Sequence, residues 1–179
     1  MILIINLNKY KLHDLEFIKP ITDLFKKLKE FKVVHYKSLK QKDIDSAEKI
    51  IIAGTSLKDD EYLNELKKFS WIKNCQKQVL GICAGMQIIA LLHGAKFKKI
   101  KEIKEIGQTQ IKILEKDSLI KDMEKVYSLH QFSVALPKSF ILIAKSNKCI
   151  QAIRKDNLVG VLFHPEVYNK EVIRNFVGL

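Results

Sequence analysis

Short apolar runs alternate with segments of helical spacing in the first half of the chain. The runs are rich in aliphatic residues, as expected of strands that are covered on both faces of a sheet. They are Met1–Asn6, Lys32–Tyr36, Lys49–Ala53 and Gln78–Ile82. Between and after them, apolar residues recur every three or four positions, which predicts helices. These are Asp14–Lys32, a short one at Ile44–Ala47, Asp59–Asn74 and Ala84–His93. The alternation favours a mostly parallel sheet.

The second half of the chain carries more strand signals than helix signals. The predicted strands are Ala95–Lys99, Thr109–Leu114, Val126–Ser128, Phe132–Leu136, Ile141–Ala144, Cys149–Ile153 and Leu158–Phe163, and a helix at Lys170–Val177 follows them. In Lys98–Glu105 charge alternates with Ile, which is typical of an exposed strand or connector. We therefore predict a three-layer α/β fold, with helices on both faces of a mostly parallel central sheet and a small additional antiparallel region. Ligands of such sheets bind beyond the carboxyl ends of the strands.

The length and composition are those of one globular domain, which we predict to span residues 1–179. Hydrophobic residues make up 47% of the chain, which is too many for a disordered protein. No apolar run approaches the roughly 20 residues of a membrane-spanning helix, and the first run is too short for a secretory signal. The three Cys residues contain no Cys-x-x-Cys pair, so neither a zinc site nor a disulfide framework is indicated. A cytoplasmic location is the simplest prediction.

Basic side chains are in excess, and the formal net charge is +12. Nearly all of them are Lys residues spread along the chain, and Arg occurs only at Arg154 and Arg174. Proteins that recognise nucleic-acid bases, and sites that bind phosphate, favour Arg because its planar guanidinium forms paired hydrogen bonds. We therefore interpret the excess as a solvated Lys-rich surface and expect no nucleic-acid partner. A nucleic-acid face and docking on an acidic protein are the less favoured alternatives.

The segment Gly81-Ile82-Cys83-Ala84-Gly85 has the Gly-x-nucleophile-x-Gly form of a nucleophile elbow. A tight turn between a buried strand and a helix would lift Cys83 above the sheet, and the two glycines would let neighbouring backbone approach. The N-terminus of the helix would favour a thiolate at Cys83. The N–H of Ala84 would be placed to donate to an oxyanion. The alternative is an ordinary buried Cys in a turn bounded by glycines.

A cysteine nucleophile needs a base, and the base needs an orienting group. The segment Phe163-His164-Pro165-Glu166 ends the predicted strand Leu158–Phe163. Alternate residues of extended backbone project to the same side, so His164 and Glu166 can face the same way. We predict that Glu166 holds one ring nitrogen of His164 and that the other meets the sulfur of Cys83. The result is a Cys-His-Glu triad.

Together, GICAGMQ and FHPEV resemble the two active-site motifs of the class I (triad) glutamine amidotransferase family, in the family's order. Weaker resemblances lie at Lys49–Gly54, at Glu105-Ile106-Gly107 and at Val126–Val134, where His130 falls on the His of a Ser-His segment. The resemblance extends over most of the chain and implies the family's flavodoxin-like fold. Within the family, the short chain is most similar to the free-standing glutaminase subunits of GMP synthases.

The resemblance implies a chemistry and a set of roles. Cys83 would attack the side-chain amide of glutamine with the help of His164, and an oxyanion would form between the N–H groups of Ala84 and Gly54. Gln87 and His130 would bind the substrate. The residues alone leave other roles open, because Gln87 could be a capping or buried polar residue and His130 a hydrogen-bonded core histidine.

The sequence contains no glycine-rich phosphate loop and no metal or nucleotide signature, so we predict no cofactor and no metal. The first hypothesis is therefore a glutaminase subunit that supplies ammonia to a separate synthetase. The second is a stand-alone cysteine hydrolase of γ-glutamyl compounds or peptides. The third is a Lys-rich binding module with a degenerate triad. Its support is the segment Ala53-Gly54-Thr55-Ser56, where the family often has Ser-Gly-Gly-Pro.

Overall fold

The computed structural model describes residues 1–99 and 105–179. In chain order, the strands are β1 (Ile2–Asn6), β2 (Phe31–His35), β3 (Lys49–Ile52), β4 (Gln78–Ile82), β5 (Phe97–Lys99), β6 (Glu105–Gln110), β7 (Lys112–Ile113), β8 (Lys125–His130), β9 (Phe132–Val134), β10 (Ile141–Lys145), β11 (Ile150–Lys155) and β12 (Leu158–Val161). The α-helices are α1 (Asp14–Phe17), α2 (Lys19–Asp23), α3 (Gln41–Asp45), α4 (Ala84–Leu92) and α5 (Glu171–Val177). The 3₁₀ segments are Lys11–His13, Tyr36–Ser38 and Glu61–Asn74.

Eight of these described strands form one central sheet in the order β2-β1-β3-β4-β12-β11-β10-β7. Neighbouring strands from β2 to β12 are parallel. From β12 to β7 they are antiparallel. The carboxyl ends of β1, β3, β4 and β12 therefore lie at one end of the sheet, where the sequence predicts the ligand site.

Helices cover both faces of the sheet, because alternate residues of a strand point to opposite sides. In β1, Ile2 and Ile4 join the hydrophobic cluster that includes residues of α2 and α5. Leu3 and Ile5 join the cluster that includes residues of α3, α4 and the 3₁₀ segment Glu61–Asn74. This arrangement confirms the predicted three-layer α/β fold.

Two antiparallel pairs of the described strands lie outside the central sheet. Strand β5 pairs with β9, and β6 pairs with β8, which confirms the predicted small antiparallel region. The predicted single strand Thr109–Leu114 is wrong, because Thr109 and Gln110 end β6 while Lys112 and Ile113 form β7 in the central sheet. The backbone leaves one sheet for the other at Ile111. Most of the predicted connector Lys98–Glu105 lies outside the described residues.

The predicted helix Asp14–Lys32 is wrong in its length. The structure has the two short helices α1 and α2 instead, followed by turns. Pro20 in the first turn of α2 explains the break, because proline lacks an N–H and its ring clashes with the preceding turn.

The predicted helix Asp59–Asn74 takes the 3₁₀ form over Glu61–Asn74, with non-helical backbone at Glu65. Its inward apolar residues, Leu66, Phe69 and Ile72, recur every three positions, which matches the three residues of a 3₁₀ turn. The other predicted elements agree with the structure to within three residues at each end. Among residues 1–99 and 105–179, no helix has the length and hydropathy that crossing a membrane requires.

Candidate active site

Cys83 occupies the turn between β4 and α4. Its φ of +47° and ψ of −101° form a conformation that residues with a side chain rarely adopt. The turn is held on both sides, because the N–H of Cys83 donates to the carbonyl of Val161 at 2.7 Å and its carbonyl accepts the N–H of Gln87 at 3.0 Å. The tight turn predicted for this segment is therefore present, with Cys83 only 5% exposed.

Close backbone contacts explain why glycine flanks the turn. A Cβ atom at Gly81 would lie 2.6 Å from the carbonyl carbon of Gly85. A Cβ atom at Gly85 would lie 2.3 Å from the carbonyl oxygen of Ile52 in β3. Helix α4 can therefore begin this close to the sheet only because positions 81 and 85 carry no side chains.

His164 and Glu166 form a buried pair beyond the end of β12. Nδ1 of His164 lies 2.7 Å from Oε1 of Glu166, and the two side chains are 1% and 0% exposed. The backbone N–H of His164 donates to the carbonyl of Tyr127 at 2.8 Å, and the ring of Phe17 lies 5.6 Å from the imidazole. The two residues face the same way, as the sequence pattern requires, and packing fixes the ring.

Cys83, His164 and Gly54 meet at the carboxyl end of the sheet. A Cβ atom at Gly54 would lie 2.6 Å from Cε1 of His164 and 3.5 Å from Cβ of Cys83. Three residues that follow β3, β4 and β12 therefore surround one point. Glu166 engages Nδ1 of His164, and the buried Nε2 is the ring nitrogen that stays available to a reacting group.

The surroundings of His164 favour its protonated form. Burial lowers the pKa of His164, but the negative charges of Glu166 and Cys83 and the hydrogen bond to Glu166 raise it well above 6.5. A protonated imidazole beside Cys83 can hold the proton that a leaving group later needs. The arrangement can thus hold a nucleophile and its proton side by side.

The predicted oxyanion donors both border this point. Ala84 is the first residue of α4, so its N–H has no partner within the helix. Gly54 adjoins Cys83 and His164 from the other side. Their joint role as an oxyanion hole stays a prediction.

The predicted substrate-binding residues line a cleft beside Cys83. Oε1 of Gln87 accepts the hydroxyl of Tyr62 at 2.7 Å, and its Nε2 donates to the carbonyl of Phe132 at 3.2 Å. Nε2 of His130 lies 3.2 Å from Oε2 of Glu105. Gln87 thus has the buried polar role that the sequence left open, and His130 is buried beside Glu105. Substrate binding by Gln87 and His130 stays a prediction.

The cleft beside Cys83 is narrow. Its volume is about 20 Å³, little more than the minimum for one water molecule. Gln131 joins its two walls, because Nε2 donates to the carbonyl of Leu57 at 2.7 Å. Leu57 lies beyond β3 and Gln131 lies between β8 and β9, so this hydrogen bond links two separate loops.

A second buried cluster contains Glu105, His130 and Cys149, whose potential metal-ligand atoms lie within 4.8 Å of one another. Glu105 accepts hydrogen bonds from Ser146 at 2.8 Å and from Gln151 at 2.6 Å. Burial raises the pKa of Glu105, but hydrogen bonds from His130 and Ser146 lower it below its ordinary value. Burial and the charge of Glu105 raise the pKa of Cys149 to about 12, so this thiol is a poor nucleophile.

Sequence reasoning missed a buried polar network behind Gly54. It joins Asn8 and His13, after β1, to Thr55 and Asp59, after β3. The signal was the sudden appearance of polar residues directly after the apolar strand β1. His13 had no partner at ligand spacing in the sequence, because its partner comes from another loop.

Comparison with known proteins gives one family match and named relatives. The chain matches the family described as glutamine amidotransferase class-I over residues 11–177. One subunit of the glutamine-hydrolysing GMP synthase of Methanosphaera stadtmanae is 38% identical over 116 residues, which cover 59% of this chain and 62% of that protein. This chain therefore spans about three fifths of that relative's length. The corresponding subunit of Thermoplasma acidophilum is 29% identical over 149 residues, covering 76% and 74%.

Solved structures share the fold. A crystal structure of a Thermoplasma acidophilum protein assigned as the same GMP synthase subunit has a TM-score of 0.84 at 25% identity, covering 99% of this chain and 92% of that one. A glutamine amidotransferase of Thermotoga maritima has a TM-score of 0.75 at 20% identity, covering 95% and 77%. The second likeness establishes the fold alone.

Proposed function

Since the chain belongs to the class-I glutamine amidotransferase family, we propose that it hydrolyses the side-chain amide of glutamine and supplies the ammonia to a separate synthetase subunit. One observation carries the proposal: Cys83, in its strained turn, lies at the same point as the buried His164–Glu166 pair. A thiol, a base and an orienting carboxylate are the groups that amide hydrolysis through a thioester needs.

The proposed reaction has two halves. The sulfur of Cys83 attacks the amide carbon while Nε2 of His164 holds the thiol proton. The carbon–nitrogen bond then breaks, His164 gives its proton to the leaving nitrogen, and ammonia departs from a γ-glutamyl thioester. Water attacks the thioester, its proton passes through His164 to the sulfur, and glutamate leaves. Glu166 orients the ring and stabilises the imidazolium through Nδ1.

Negative charge develops on the amide oxygen in both halves, and we assign its stabilisation to the N–H groups of Ala84 and Gly54. Both residues border Cys83. Such donors act on a charge that appears only in the transition state, and removing one of them costs about 10²–10³ in rate.

The names of the relatives lead to a more specific proposal for the ammonia acceptor. Relatives from two organisms are named as subunits of that enzyme, and we propose a synthetase subunit of a GMP synthase as the partner of this chain. The proposal includes the cytoplasmic location and the single domain predicted from the sequence. If it holds, adding that synthetase subunit will increase the rate of glutamine hydrolysis.

The test of the glutaminase activity compares wild type with Cys83→Ala and with Cys75→Ala, a matched control at a half-buried free thiol. We expect glutamate formation by wild type and by Cys75→Ala, and none by Cys83→Ala. An electrophilic diazo-ketone analogue of glutamine should add once, at Cys83, and free glutamine should block it. Hydrolysis by Cys83→Ala at the wild-type rate would overturn the assignment.

The same assays separate the two alternatives from the proposal. A stand-alone γ-glutamyl hydrolase would prefer a γ-glutamyl compound or peptide to free glutamine and would gain nothing from a synthetase subunit. A binding module with a degenerate triad would show neither hydrolysis nor adduct, and would retain binding to a partner. No contact within the described residues favours either alternative over the amidotransferase.

A further inference from the structure

Side-chain hydrogen bonds tie the loop after Gly54 to the segment after β1. The hydroxyl of Thr55 lies 2.9 Å from Oδ1 of Asn8 and 3.1 Å from Oδ2 of Asp59. A hydroxyl has one hydrogen, so Thr55 donates to one of these oxygens at a time. Asn8, Thr55 and Asp59 are each no more than 4% exposed. Water therefore does not compete for these bonds, and losing one leaves a buried polar group without its partner.

The carboxylate of Asp59 is the centre of this network. Besides Thr55, its Oδ2 accepts the backbone N–H of Lys9 at 3.0 Å and lies 2.8 Å from Nδ1 of His13. An ionised carboxylate only accepts hydrogen bonds, so Nδ1 of His13 carries the hydrogen. Lys9 and His13 both lie between β1 and α1. One carboxylate thus holds that segment and the loop after β3 together.

Asn8 is itself held in one orientation. Its Nδ2 donates to Oδ1 of Asp14 at 2.8 Å, and its backbone N–H donates to Oδ1 of Asn6 at 2.8 Å. Nδ2 of Asn6 also donates to Asp14, at 2.7 Å. Because the amide nitrogen of Asn8 is engaged with Asp14, its oxygen stays directed at Thr55.

We infer that Thr55 and Asp59 are positioning residues that hold the Gly54 backbone beside Cys83 and His164. The inference rests on the proposed glutaminase function. Thr55 is bonded directly to Gly54, and the contact of Gly54 with the two other residues leaves no room for a Cβ atom. A loop that moved outward would open this contact and withdraw the Gly54 N–H from the oxyanion. Misplacement by about 1 Å in an active site can cost 10²-fold in rate.

The experiment uses the full chain and four variants. Thr55→Val removes the hydroxyl at nearly constant shape, Thr55→Ser keeps a hydroxyl, and Asp59→Asn removes the charge. Asp43→Asn is the matched control, because Asp43 is also 4% exposed and accepts a backbone N–H, from Lys40 at 3.0 Å. For each protein we would measure kcat and KM for glutamine. We would also measure the rate at which iodoacetamide alkylates Cys83, a displacement that forms no oxyanion.

The expected result is selective for the step that needs the oxyanion donors. Thr55→Val and Asp59→Asn should lower kcat by about tenfold to a hundredfold, with KM changed by less than about threefold. Alkylation of Cys83 should stay within about twofold of wild type. Thr55→Ser and Asp43→Asn should keep kcat within about threefold of wild type.

Two outcomes would overturn the inference. One is a kcat for Thr55→Val that stays within about twofold of wild type. The other is an equal fall in kcat and in alkylation, which would mean that the variants disrupt the site in general. Failure of the proposed function looks different, because wild type itself would then release no glutamate.

Discussion

Gly54 and His164 are in such close contact that no side chain fits between them. A Cβ atom at position 54 would lie 2.6 Å from Cε1 of His164. The ring has little room to move, because it is 1% exposed and Nδ1 is held by Glu166 at 2.7 Å. The loop after β3 therefore sets the position of the base relative to Cys83.

Gly54→Ala should consequently impair catalysis more than folding. The added methyl group pushes the imidazole or the loop by several tenths of an ångström, and we expect kcat to fall by about 10²-fold. The measurement is steady-state glutamate formation, with circular dichroism to confirm the fold. Gly94→Ala is the control for a strained alanine at another glycine: its φ of +85° disfavours a side chain, but a Cβ atom there meets nothing within 4 Å, so stability should fall while kcat stays near wild type. A Gly54→Ala enzyme of wild-type kcat would contradict the role given to this contact.

Glu166→Gln should lower the pKa of His164. Burial already lowers the pKa of this imidazole, and in wild type the charge of Glu166 is the largest of the effects that raise it. Without that charge, burial lowers the pKa of His164 further than it does in wild type. The NMR signal of the Cε1 hydrogen of His164 should titrate at a lower pH in the variant than in wild type. An unchanged midpoint would contradict this account, and the exposed Glu171→Gln serves as the control.

Gly85→Ala should destabilise the protein, although alanine normally stabilises a helix. The ordinary gain over glycine is about 1 kcal/mol. A steric clash opposes this gain, because the Cβ atom would lie 2.3 Å from the carbonyl oxygen of Ile52, a backbone atom that cannot rotate away. We expect a net loss of about 2–3 kcal/mol in the free energy of unfolding, measured by urea denaturation. Stability equal to wild type would mean that α4 can move away from β3 freely.

Gln131→Ala should make Cys83 more accessible. The hydrogen bond from Gln131 to the carbonyl of Leu57 links the two walls of a cleft of about 20 Å³. A link between the walls of a narrow cleft limits the approach of a reagent to Cys83. Without the link, iodoacetamide should alkylate Cys83 several times faster, as followed by intact mass. The exposed Gln110→Ala should leave the rate unchanged, and equal rates for both variants would argue against the link.

The predictions that succeeded rest on local geometry. The turn at Cys83 needs only a strand, two glycines and a helix in succession. The pairing of His164 with Glu166 needs only two alternate residues of extended backbone. Both arrangements are set by residues a few positions apart. The strand Lys49–Ile52 could be predicted for the same reason, because a run of apolar residues is typical of a strand buried on both faces.

The network around Asp59 was out of reach of the sequence for the opposite reason. Its partners come from two loops, about 50 residues apart, that meet only because β1 pairs with β3. The contacts of Gln87 with Tyr62 and Phe132 have the same origin. Pro20 could have predicted the break in the helix, but the apolar spacing around it favoured a continuous helix.

The position of β12 has a consequence for how the protein is made. This strand lies between β4 and β11, although it follows every other described strand in the chain. His164, which follows β12, leaves the ribosome 81 positions after Cys83, a delay of about 4–16 s at ordinary rates of synthesis. Until β12 inserts, the thiol has no base beside it. The growing polypeptide therefore brings Cys83 and His164 together late, when β12 pairs with β4 and β11 and completes the central sheet.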